Sequence, residues 1–226
     1  MLSFTEENYL KCIYHLSENG QKEVNTNSIS ESLHTSPASV SDMLQKLSKK
    51  KVLNYARYKG VSLTDKGAKL ALQIVRNHRL WEVFLVEKLN FQWDEVHEIA
   101  EQLEHIRSSV LISRLDEFLG FPAYDPHGDP IPDEAGEMKA KLKTLLSDVS
   151  TGTQAIVVGL KETSSLFLQH LDKTGIYIGA RLKLVDRIAF DASAELMIDG
   201  KKRVIVSDAV AKNIYLGIAE SRPRGK

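Results

Sequence analysis

The sequence predicts a mainly α-helical protein with a β-rich module at its C-terminal end. Three observations predict it. Apolar residues recur at helical spacing through most of residues 4–118. The stretch GFPAYDPHGDPIPDEAG then gathers four of the six prolines and three glycines, which no regular element accommodates. Beyond Thr153 the apolar residues fall into short runs rich in β-branched side chains: QAIVVGL, ARLKLVD, AELMI and KRVIVS. A chain of 226 residues is long enough for more than one core.

In chain order, Phe4, Tyr9, Ile13 and Leu16 mark one face of a helix over 4–18, which Gly20 ends. Thr26 or Asn27 is placed to cap a short helix through Leu33. His34-Thr35-Ser36 reads as a turn, and Pro37 suits the first turn of a third helix running to about Lys50. Its Val40, Leu44 and Leu47 face inward. VLNYARYKGVSLT follows, with Lys59-Gly60 at the centre of a hairpin. Thr64 or Asp65 caps a long helix from Lys66 to about Leu89. Further helices are expected from Asp94 to about Ile106 and from Ser109 to Phe118. Residues 137–150 are expected to be a helix or a linker, and SSLFLQHLD to be the one helix of the β-rich module. The domains expected are 1–65, 66–136 and 153–220, with 137–152 as linker.

Composition excludes several classes. No apolar run is long enough to span a bilayer, and the acidic, amphipathic N-terminus is unlike a signal peptide, so a cytoplasmic protein without membrane contact is expected. The single cysteine, Cys12, excludes an intramolecular disulfide and any multi-cysteine metal site. Net charge is zero, but it is unevenly spread. Residues 44–60 carry Lys46, Lys49, Lys50, Lys51, Arg57 and Lys59 and no acid. Residues 82–104 carry seven acids and one base, Lys88.

A short helix, a tight turn, a second helix and a basic hairpin are the parts of a winged helix-turn-helix, whose second helix enters the major groove. Thr35, Ser36, Pro37, Ala38, Ser39, Ser41, Asp42 and Gln45 would face base edges. Lys46, Lys49, Lys50 and Lys51 would follow the phosphate backbone, and Arg57, Tyr58 and Lys59 would form the wing tip. None of the base-facing residues is an arginine, so shape and phosphate contacts should carry much of the affinity. A solvated lysine face on a helical hairpin is the plainer alternative. Beyond the wing, His78 and Glu82 stand one helical turn apart. His97, Glu101, Glu104 and His105 fall within roughly 100° of arc on the next predicted helix. Imidazole and carboxylate donors on paired helices suit a divalent cation. Each pair taken alone is as well explained by surface hydrogen bonding.

The stretches ENYLKCIYHL, SPASVSDMLQKL, YKGVSLTDKG, NHRLWEVFLVEKL, EVHEIAEQLEHI and LDEFLGFPAYDPHGDPIP resemble the diphtheria-toxin-repressor family of metal-dependent regulators, in particular its manganese-responsive branch. The β-rich module resembles the small FeoA-like barrel many members carry. The resemblance implies two metal sites. The primary one matches Asn8, Glu101, Glu104 and His105. The ancillary one matches His78, Glu82 and His97, completed from the barrel by Glu162. Manganese-type members usually have Asp where this chain has Asn8, so neighbouring Glu7 is a further candidate. Glu101 stands where iron-type members place a cysteine, which favours Mn(II), with Fe(II) as a second activator and Zn(II) able to fill the sites in vitro. His127 and Asp129 of HGDP would lie in a linker turn. The function implied is a homodimeric repressor of metal-uptake genes that binds an operator in double-stranded DNA when metal is plentiful. Trp81, Phe84, Leu85, Val110, Leu111, Leu115 and Phe118 are candidates for the dimer face, or else for the monomer core. A regulator sensing an organic ligand and a metal-dependent hydrolase are the alternatives. The sequence has neither a nucleophile arrangement nor a phosphate loop to support an enzyme.

Overall fold

The computed structural model describes residues 2–18, 20–56, 60–138 and 143–217. They divide into two compact units: Met1–Trp81 with Ala100–Phe118 and Ile131–Met138, and Glu82–Ile99 with Leu119–Pro130 and Lys139–Lys226.

The first unit opens with helix α1, Phe4–Leu16. Ser3 and Glu6 form a reciprocal capping box that satisfies the backbone donors of its first turn. Helix α2 is Thr26–Ser32 and is capped by Asn25, one residue earlier than the sequence suggested. Asn suits that role because its side-chain oxygen accepts the Ser28 amide. Helix α3 is Pro37–Lys49, with Ser36 as cap and Pro37 in the first turn. Strands β1 (Leu53–Ala56) and β2 (Gly60–Leu63) pair antiparallel, Leu53 opposite Leu63 and Ala56 opposite Gly60. The wing tip, with the candidates Arg57 and Lys59, lies outside the described residues. Leu10, Ile13, Ile29, Val40, Leu44 and Leu47 are fully buried in one apolar cluster with Val52 and Val61. Removing six such side chains from water, at roughly 1.5–3 kcal/mol each, is the main force fixing α3 against α1 and the hairpin.

Helix α4, Asp65–Leu89, begins where Thr64 caps it: the Thr64 hydroxyl accepts the Gly67 amide and donates to the Lys51 carbonyl. Gly67 is required by close approach, since a Cβ there would stand 1.9 Å from the Val52 carbonyl oxygen. Helix α5, Val96–Leu103, is shorter than the sequence suggested. Glu104 and His105 lie in the turn that follows it, although the Glu104 amide still reaches the Ala100 carbonyl at 2.8 Å. Helix α6 is Ser109–Phe118. Buried Arg76 ties α4 to α6 through Asp116 at 2.7 Å and to the 131–138 segment through the Pro132 carbonyl at 2.6 Å. Of the seven apolar dimer-face candidates, Leu85, Leu115 and Trp81 are buried, whereas Val110, Leu111 and Phe118 are exposed.

The second unit is built on a six-stranded antiparallel sheet. In chain order its strands are β3 (Thr144–Leu145), β4 (Gln154–Leu160), β5 (Arg181–Arg187), β6 (Ala194–Ile198), β7 (Lys202–Val206) and β8 (Ile214–Gly217). They line up as β3-β8-β4-β5-β6-β7. The expected barrel is therefore corrected: among the described residues β3 and β7 are edges and the sheet does not close. Bulges in β4, between Val157 and Gly159, and in β5, between Leu184 and Asp186, bend it. Helix α7, Ser165–Thr174, covers it, and a short α8, Asp208–Ala211, precedes β8. Leu168 and Leu171 of α7 join Leu146, Leu184, Leu196 and Ile214 in the core. The described part of 137–150 is β3 and a single 3-10 turn, Leu146–Asp148, not an α-helix.

Candidate functional site

Helix α1 presents one face to the turn after α5. Phe4 stacks on the His105 ring, centroids 4.6 Å apart. Glu7 Oε2 lies 2.7 Å from His105 Nδ1, and Arg107 holds the other Glu7 oxygen at 3.1 Å. One turn along α1, Lys11 Nζ is 2.7 Å from Glu104 Oε2 and 3.3 Å from Glu101 Oε1. Glu104 Oε2 also meets His78 Nδ1 at 2.6 Å, and Asn77 donates to the Glu104 carbonyl. The Glu104 side chain has no solvent exposure. Burial pushes its carboxyl pKa upward, but the His78 hydrogen bond and the Lys11 charge outweigh that, so it sits below the usual carboxylate range.

One atom in this cluster is left over. Glu104 Oε1 is buried and has no hydrogen-bond partner, and it lies 3.9 Å from His105 Nε2. Two ligands at about 2.0–2.2 Å from one ion stand at most about 4.4 Å apart, so this pair is close enough to share a divalent cation. A carboxylate on Nδ1 is also the usual means of orienting a ligating imidazole so that Nε2 faces the metal. Here Glu7 supplies that carboxylate. Asn8, the matched position, is exposed on α1, and Glu101 is about half exposed. Among the described residues, no three of Glu7, Glu101, Glu104 and His105 bring one donor atom each within 4.8 Å of one another.

In the second unit Glu82, almost fully buried, meets two histidines. Its Oε1 is 3.5 Å from His97 Nδ1, and its Oε2 is 3.6 Å from His127 Nδ1. Donor atoms of Glu82, Asp125 and His127 all lie within 4.8 Å of one another, and all three residues are buried. Sequence reasoning set the HGDP segment aside as a linker turn and did not consider Asp125. It is a turn, with Asp125 Oδ1 accepting the amides of His127 and Asp129 at 2.9 Å, but it turns His127 onto Glu82. The backbone of β4 fixes it there: the Leu160 amide donates to the His127 carbonyl, and a Cβ at Gly128 would stand 2.3 Å from the Val158 carbonyl oxygen. Burial pushes the His127 pKa down, but Glu82, Asp125 and the Trp93 carbonyl on Nε2 dominate and raise it to about 9. His78 stands one turn before Glu82 on α4. Glu162 is exposed and accepts the Ser164 amide ahead of α7.

On α3 the residues before Val40 are solvent-facing. Ser36, Pro37, Ala38, Ser39, Asp42 and Gln45 are exposed, and Thr35 and Ser41 are half-buried. The Ser36 and Ser39 hydroxyls bond one another, and Ser41 bonds the Pro37 carbonyl. Lys49 is exposed. Lys46 and Lys50, expected on phosphate, hold the buried Glu6 carboxylate at 3.2 and 2.8 Å. That contact brings the Glu6 pKa down to about 2 against the opposing effect of burial.

Residues 1–61 match the iron dependent repressor N-terminal DNA binding domain. Residues 64–133 match the iron dependent repressor metal binding and dimerisation domain, and residues 144–216 the FeoA domain. The iron-dependent repressor IdeR of Mycobacterium leprae is 31% identical over 191 residues, 79% of this chain and 82% of that one. Among solved structures, a manganese-dependent transcriptional repressor in complex with manganese is 33% identical with a TM-score of 0.84, covering 94% of this chain and 99% of that chain. ScaR with bound Zn2+ is 32% identical with a TM-score of 0.74, covering 93% and 98%. Among the described residues, no helix is long and apolar enough to cross a membrane.

Proposed function

The chain belongs to the diphtheria-toxin-repressor family of iron-dependent repressors, and from that premise we propose how its residues perform metal-dependent repression. It is a metal-dependent DNA-binding transcriptional repressor rather than an enzyme. In our reading Glu104 and His105 are the centre of the activating site, with Glu101 and an α1 residue, Asn8, beside them. Glu7 orients His105. The second set is Glu82 with His78 and His97 of the sequence match, to which Asp125 and His127 are added and for which Glu162 remains a candidate. Glu104 and His105 would hold a divalent cation whose positive charge would neutralise the carboxylates, and with the α1 residue beside them they would tie α1 to the turn after α5. The protein's own part is to keep those carboxylates ionised and His105 aimed. Fixing α1 fixes α3 as well, because Glu6 holds Lys46 of α3 and Lys50 at its C-terminal cap. The population then shifts toward the arrangement in which two recognition helices of a homodimer reach successive major grooves about 34 Å apart.

The observation that carries this reading is the buried Glu104 Oε1, unpartnered and 3.9 Å from His105 Nε2. The donors are oxygen and imidazole nitrogen, a set that suits Mn(II), with Fe(II) as the second choice. The genes controlled in this reading are those of metal uptake, in the cytoplasm. The test is a gel shift on the protein's own promoter, with chelator and with added Mn(II), Fe(II) or Zn(II). Tight, metal-dependent retardation is expected. Equal affinity in chelator and in Mn(II) would refute it.

A further inference from the structure

Lys11 stands on the same face of α1 as Glu7, one turn later. Where Glu7 meets the imidazole of the metal centre, Lys11 meets its acids: Glu104 at 2.7 Å and Glu101 at 3.3 Å. Its side chain is only 12% exposed, so this ammonium is set into the cluster and does not wave in solvent. Glu104, with no exposure, needs partners to remain ionised, and beside His78 the Lys11 ammonium supplies the fixed positive charge. A divalent cation would draw on the same two carboxylate groups, on Glu104 through Oε1, the oxygen beside the one that Lys11 holds. Two cations drawn to one pair of carboxylates repel each other, and the effect is strong in a partly dehydrated site. The ligand set is also poor in charge, since Asn8 is neutral and Lys11 offsets one of the two acids.

We propose that Lys11 is an internal competitor that sets the metal threshold of this centre. Its ammonium holds Glu101 and Glu104 when metal is scarce and must be displaced, or tolerated at a cost, when a divalent ion binds. The repressor would then respond only at metal levels well above those its bare ligand set could capture. This rests on the assignment of Glu104 to the activating site, so the test separates the two.

The experiment titrates Mn(II) into metal-free protein and follows free Mn(II) by its electron paramagnetic resonance signal. The binding step abolished by Glu104→Gln defines the site. At that step Lys11→Met should bind at least 10-fold more tightly than wild type, and Lys11→Gln should show the same direction. Lys11→Arg, which keeps the charge, should stay within about 3-fold of wild type. Melting gives the second readout. Metal-free Lys11→Met should melt lower than wild type, because Glu104 loses its counter-charge, and should gain more from Mn(II). Unchanged or weaker Mn(II) binding in both Lys11→Met and Lys11→Gln would overturn the proposal and assign Lys11 a supporting role. If Glu104→Gln removes no binding step, the assignment of Glu104 fails first and the proposal falls with it.

Discussion

Replacing Glu6 with Gln tests the link between α1 and the recognition helix. The Glu6 side chain is 1% exposed, accepts from Lys50 at 2.8 Å and faces Lys46 at 3.2 Å. Its carboxyl is held at about 2 instead of 4.5. At 1.36 kcal/mol per tenfold change in proton affinity, the ceiling on its contribution is about 3 kcal/mol. Solvent screens the lysines, which are 59% and 37% exposed, so about 1–2 kcal/mol is the expected loss near pH 7. The sign follows from the direction of the shift. A carboxyl whose folded pKa lies below its unfolded one stabilises fully above pH 4.5, and that contribution fades as pH falls toward 2. Urea unfolding of metal-free protein, followed by circular dichroism, should give Glu6→Gln a lower midpoint at pH 7 with an unchanged slope. The gap between the two proteins should narrow from pH 5 to pH 3. Equal midpoints at pH 7, or a gap that does not depend on pH, would refute the argument.

Glu101→Cys places a soft thiolate in the metal centre, and DNA binding should become more responsive to Fe(II) or Zn(II) relative to Mn(II). The same activation order in both proteins would remove Glu101 as the determinant of metal choice. Lys49→Ala, at an exposed α3 lysine without the Glu6 contact, should weaken binding about equally on all operator variants and reduce the salt slope by about 1. Loss confined to one base-pair variant would mean that Lys49 reads a base. Leu44→Ala, at the fully buried centre of the winged unit, should cost about 2–5 kcal/mol in chemical unfolding. A cost under 1 kcal/mol would show that the cluster is not close-packed there.

The sequence by itself determined the elements whose signals are local. Pro37 after Ser36 placed the start of α3, the pair Thr64 and Asp65 the start of α4 to within a residue, and the spacing of Val40, Leu44 and Leu47 the buried face. Caps, turns and periodicity depend on neighbours a few residues away, so they are written in the chain. Strand β8 and the two-residue β3 were missed because each is too short to show alternation, and β3 exists only through its pairing with β8. The end of α5 was misplaced because Glu104 keeps its helical hydrogen bond while the chain already turns. Only the tertiary structure decided which charges meet. The spacing of His78, Glu101, Glu104 and His105 marked them as metal-binding candidates. The resemblance offered Glu7 as a candidate beside them, but nothing in the chain signalled that Lys11, ninety residues before Glu101, would face Glu101 and Glu104, that Glu6 would hold Lys50, or that a proline-rich turn would bring His127 to Glu82. Such pairs are fixed by which apolar faces pack together, and that choice minimises exposed surface over a whole unit.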